Sequence, residues 1–168
     1  MKTRLTKSYL AGRAALLASL TLLAASSLAA TAPSSLEARR GDRIEGVWDS
    51  QVTIVDCQSG TVLAGFRGLG MFIRGGSLTQ TNNMPPALSS PSFGRWARTE
   101  AGYYTATFEF FRFLPDGTFS GVQKVTRDIQ LEAGGDSFTS DVSFETYDTT
   151  GNLIATGCGT ETATRVID

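Results

Sequence analysis

The sequence predicts an all-β protein, a closed eight-stranded antiparallel up-and-down β-barrel. Three observations predict it. From Gly46 onward, Gly, Asp and Asn mark tight turns at short intervals: Gln58-Ser-Gly, Gly75-Gly76, Pro115-Asp-Gly, Gly134-Gly-Asp and Thr149-Thr-Gly-Asn. Segments rich in Val, Ile, Thr, Phe and Tyr lie between them, and several alternate apolar with polar residues. No segment in this region carries a helical period.

The chain opens with export features. Lys2, Arg4, Lys7 and Arg13 precede an apolar run from Ala14 to Ala25, and the small residues Ser26 to Ala30 follow. That order describes a secretory signal peptide, with cleavage expected after Ala29. The apolar run falls short of the ~20 residues that a membrane-spanning helix needs, so no membrane anchor is expected after cleavage. Residues 30–43, rich in Ala, Ser, Arg and Pro, read as a flexible leader, and 44–168 as a single barrel domain. The destination is the periplasm or the medium.

Cleavage changes the charge. The whole chain has 15 Lys+Arg and 16 Asp+Glu; removing the four leading cations leaves 11 against 16, a net −5. That sign disfavours nucleic acid as a partner. The sequence holds no His, which removes the usual general base and the commonest metal ligand. No metal site and no cofactor are expected.

The predicted strands span about 46–57, 61–74, 77–82, 94–100, 103–114, 118–132, 137–147 and 153–167. In the fifth, Tyr104, Ala106, Phe108 and Phe110 share the inner face, and Phe111 and Phe113 break the alternation. A bulge or an apolar outer patch is expected there. In the sixth, Phe119, Val125, Ile129 and Leu131 face inward; in the seventh, Phe138, Val142 and Phe144. Antiparallel partners keep a constant sum of residue numbers. Trp48 with Arg165 gives 213 and Cys57 with Cys158 gives 215. Pairing of the first and last strands therefore accommodates an inner Trp–Arg contact and an outer disulfide. An even cysteine count in an exported chain points the same way.

Gly46-Val-Trp48 opening the first strand, with Arg165 in the last, resembles the calycin superfamily, the lipocalins and their relatives. The resemblance implies a barrel closed at one end by Trp48, with Arg165 stacked over it as a plug. It also implies a ligand-holding interior. It rests on three residues, and there are departures. The first turn, Cys57 to Gly60, is too short for a lipocalin lid. A second lipocalin motif is missing, and the predicted last strand leaves no room for a C-terminal helix. In size and topology the chain is also similar to allene oxide cyclase and dirigent barrels, with no shared motif.

The predicted interior is uneven. The eighth strand offers Ala155, Gly157, Gly159 and Ala163, whereas Phe108, Phe110, Phe119 and Phe144 stand on others. Either the large side chains fill the space or an aromatic-lined cavity remains. Arg112, Arg127 and Glu161 fall on inner positions. Arg127 would pair with Glu161, or Arg112 or Arg127 would hold a ligand carboxylate. Trp96, between Arg95 and Arg98, would stack on a ligand or cover the wall. The long connection 83–93, with three prolines and Met84, Leu88 and Phe93, would lie at the open end as a lid or pack on the rim. The leading expectation is a binding protein for a small apolar or amphipathic molecule. The alternatives are a cofactor-free cyclase or isomerase using Glu161, Tyr104 or Glu109, and a solid barrel acting through surface protein contacts.

Overall fold

The computed structural model describes residues 43–166. The expected signal peptide and all of the leader but Arg43 lie outside the described residues. Eight strands follow in order: β1 (Gly46–Val55), β2 (Val62–Ile73), β3 (Ser77–Asn82), β4 (Ser92–Glu100), β5 (Tyr103–Phe113), β6 (Phe119–Leu131), β7 (Ser137–Tyr147) and β8 (Leu153–Arg165). Each pairs antiparallel with its neighbour, and β1 pairs with β8, which closes the barrel. A single short 3₁₀ turn, Pro86–Leu88, interrupts the connection from β3 to β4 among the described residues.

The seam runs in the expected register. Trp48 opposes Arg165, and Val55 opposes Cys158. Cys57 lies just past the end of β1 and bonds Cys158, with Cα atoms 5.3 Å apart. The bridge closes a loop across 101 positions. In the chain-entropy model such a loop closure is worth at most about 4–5 kcal/mol.

One end of the barrel is sealed by Trp48, Phe72, Leu78, Ile129, Leu131 and Phe138, all buried. Trp48 is 1% exposed, and its Nε1 donates to the Ile44 carbonyl at 2.8 Å. Phe138 packs against it with ring centres 4.8 Å apart. The Arg165 guanidinium lies 4.2 Å from the Trp48 ring centre. It donates to the carbonyls of Arg43, Glu45 and Gly135, tying the entering chain and the β6–β7 turn to the floor. Gly46 explains its place in the motif. It sits at φ +135°, and a Cβ there would lie 2.5 Å from Arg165 Nη1.

The turns divide between two ends. The β2–β3, β4–β5 and β6–β7 turns lie with the Trp48 floor. The β1–β2, β3–β4, β5–β6 and β7–β8 connections surround the other end.

Two expectations about faces change. The β5–β6 register shifts between Arg112 and Phe113: Arg112 opposes Gly121, but Phe113 opposes Phe119. Ser120 is the extra residue. The bulge reverses the face of everything before it on β6, so Phe119 points outward and is 42% exposed. It joins Phe111 and Phe113 in an outer aromatic patch, at ring-centre distances of 5.8 and 6.1 Å. The expected apolar outer patch is therefore present, with one more member. Strand β4 begins at Ser92, earlier than expected, so Phe93 belongs to the outer wall and not to the loop's apolar side; it is 70% exposed.

Candidate functional site

The inner face above the floor changes character. Ser50, Gln80, Ser92, Arg127, Ser140 and Glu161 all fall on inward positions set by the strand registers. This polar layer separates the aromatic floor from the open half. Arg127 and Glu161 are its charged members, 4% and 2% exposed.

The expected Arg127–Glu161 pair forms, with Nε 3.2 Å from Glu161 Oε2. That distance is within ion-pair range, yet the Nε–H is not aimed as a hydrogen bond, and Glu161 Oε1 accepts none among the described residues. Ser140 Oγ donates to Glu161 Oε2 at 2.8 Å. Arg127 Nη2 donates to Gln80 Oε1. The guanidinium also lies 4.7 Å from the Phe108 ring centre. Burial pushes the Arg127 pKa down, and the Glu161 charge opposes that shift.

Above this layer lies a cavity of about 210 Å³. Its walls are Val52 and Ile54 from β1, Phe66 from β2, Phe108 and Phe110 from β5, Val125 from β6, and Val142 and Phe144 from β7. Gln80, Asn82, Gln123 and Arg127 add polar groups. The small residues of β8 are what keep Phe144 against the wall. Phe144 opposes Gly157 in the β7–β8 ladder, and a Cβ on Gly157 would lie 2.0 Å from Phe144 Cζ. The ring therefore lies flat across the glycine instead of reaching into the lumen.

The structure gathers Phe108, Phe110, Arg127 and Phe144 of the expected ligand contacts around this one cavity. Phe119 is outside the barrel. Trp96 faces inward but belongs to the floor: its ring centre lies 6.2 Å from Phe72 and 5.8 Å from Tyr104, and Nε1 donates to Ile73 O at 3.0 Å. The reason is direction, since β4 runs toward the closed end and carries Trp96 away from the mouth. Arg112 is half-buried beside the Ser89 bridge at the rim and does not line the cavity. Among the enzyme candidates, Glu161 is held in the ion pair, Tyr104 packs on Trp96, and Glu109 is exposed on the outer wall.

Val52 and Ile54 share the inner face of the first strand with Trp48 by alternation, whereas Phe66, Gln80, Asn82 and Gln123 are not singled out by the sequence. Gln80 and Asn82 share an inner face with Leu78 by simple alternation, so a signal for them existed in β3.

The long connection is fastened to β5. Ser90 N donates to Phe111 O, and Phe111 N donates to Ser90 Oγ, both at 3.0 Å. Of this connection's residues, none lines the cavity. Shallower grooves mark the outer wall, one of about 480 Å³ lined chiefly by Thr, Asp and Tyr.

The geometry defines a closed up-and-down barrel with a tryptophan–arginine floor, a buried ion-paired layer and an apolar cavity above it. No family model, no curated protein and no solved structure matches the chain. Among the described residues, no helix is long and apolar enough to cross a membrane.

Proposed function

We propose that this protein is an exported, calycin-like barrel that holds one small apolar or amphipathic molecule in its open half. The observation that carries the reading is the cavity itself. It is enclosed by aliphatic and aromatic side chains, with Gln80 and Arg127 at its base and Asn82 and Gln123 nearer the mouth, the composition expected of a ligand site. Its volume of about 210 Å³ exceeds the roughly 150 Å³ at which an apolar cavity already takes up benzene. The Gly-x-Trp opening and the Arg165 plug support the calycin relationship. The disulfide and the basic, apolar and small-residue order of the N-terminus support export.

Mass spectrometry of protein secreted by its native host tests both parts. The denatured mass is expected to begin at Ala30 and to lack two hydrogens, one from each cysteine. The native mass is expected to carry an adduct that is lost on denaturation. Val142→Trp, which fills the cavity from β7, should abolish the adduct while leaving the β-sheet circular dichroism unchanged. An adduct that survives this substitution would place the ligand elsewhere.

A further inference from the structure

The cavity's polar base has an electrical balance that restricts what it accepts. Among the described residues, Arg127 is the one ionised side chain on the cavity wall. Its charge is already matched by Glu161, and their side chains are 5% and 1% exposed. An arriving carboxylate would therefore meet a neutral pair, not a free cation. It would shed its hydration, leave a net negative charge in the barrel, and stand near the Glu161 carboxylate. The remaining lining is apolar or amide, and amide dipoles supply hydrogen bonds but no compensating charge.

The hydrogen-bond inventory points to the complementary group. A guanidinium has donors only. Arg127 spends Nη2 on Gln80 Oε1 and turns Nε toward Glu161, so Nη1 has no partner among the described residues. The same bond occupies the Gln80 acceptor, which leaves the amide N–H₂ of this cavity-lining residue as an unspent donor. The base thus offers donors to an acceptor that need carry no charge.

Resting on the cavity reading above, we propose that the barrel selects a neutral ligand. That ligand has a compact apolar body of roughly eight non-hydrogen atoms and one carbonyl-type oxygen. The oxygen is held by Arg127 Nη1 and the Gln80 amide, and the body lies among Phe108, Phe110 and Phe144. The matching carboxylate is rejected. Selection comes from the ion pair: Glu161 removes the attraction that Arg127 alone would exert on an anion.

The test uses the disulfide-bonded mature protein, freed of any endogenous adduct. Its titration at pH 7 is followed by ligand-observed NMR with four probes of similar shape: acetophenone, benzamide, benzoate and ethylbenzene. Acetophenone and benzamide should bind at least about tenfold tighter than benzoate, with ethylbenzene between them. Gln80→Leu should erase the preference of acetophenone over ethylbenzene. In Glu161→Gln, if it folds, benzoate should gain on acetophenone. Benzoate binding as tightly as acetophenone to the wild-type protein would overturn the neutral-ligand inference and leave the cavity reading standing. If all four probes, ethylbenzene included, fail to bind, the cavity reading falls and the inference falls with it.

Discussion

The two halves of the barrel are built on opposite plans. The closed half is overdetermined: Trp48 is buried to 1% exposure, bonded to Ile44, packed on Phe138 and capped by an arginine that grips three backbone carbonyls besides. The open half has similar numbers of large side chains, but glycine and alanine on β8 stand where the other strands place rings. The first arrangement fills its volume and the second leaves about 210 Å³. Packing to interior density consumes a lumen, so a barrel that keeps one must draw its stability elsewhere. Here the floor and the disulfide hold the two ends of the β1–β8 seam, at Arg165 and at Cys158.

That division can be broken deliberately. Replacing both cysteines by serine should have the largest effect, a loss of up to about 4–5 kcal/mol in denaturant unfolding. Amide exchange should then show the mouth end of the seam, near Val55 and Cys158, opening ahead of the floor. Trp48→Ala should cost about 3–4 kcal/mol in the same assay, and Gly46→Ala a smaller amount through its collision with Arg165. Phe144→Ala should cost only about 1–2 kcal/mol, because its ring already borders a void. It should also let bulkier probes enter the cavity, which a floor substitution should not.

Acid should separate the halves as well. Asp56, Asp116 and Asp148 each sit in a turn of the open end. Ser59, Thr118 and Asn152 respectively head the hydrogen bonds that hold their carboxyl groups below the ordinary value of 3.8. Hydrogen bonds to the ionised form depress the folded pKa, so their contribution is complete above the unfolded value and fades as pH falls below it. Between pH 7 and 5, exchange protection in turns 56–61, 114–118 and 148–152 should be flat. Below about pH 4 it should fall in these turns before the β2–β3 turn changes. Phe119→Ser should have the smallest effect, within about 0.5 kcal/mol, because the ring is on the outer wall. A loss above 2 kcal/mol would put it back inside.

Much of the frame was readable in the chain. Turn chemistry and alternation are local, so the eight strands emerged within about two residues of their observed limits, and the sum rule placed Trp48 opposite Arg165. The candidate site was readable in part. Phe108, Phe110, Arg127 and Phe144 follow from parity alone. Phe119 failed because the bulge at Ser120 adds one residue, and one residue exchanges the two faces of a strand. Trp96 had the correct face and the wrong end, since its height in the barrel depends on the direction of β4.

The sequence by itself determined the closed meander, its register at the seam, the outer disulfide and the tryptophan–arginine floor. These follow from short-range periodicity and from a closure that fixes every partner once one is fixed. Only the tertiary structure decided that the upper interior is hollow, that Gln80 completes its polar base, and that Phe144 lies across Gly157. Those features depend on side chains from β1, β2, β3, β5, β6, β7 and β8 meeting in one volume. Whether such a volume fills or stays open is a balance of shapes across the barrel, which no single strand encodes.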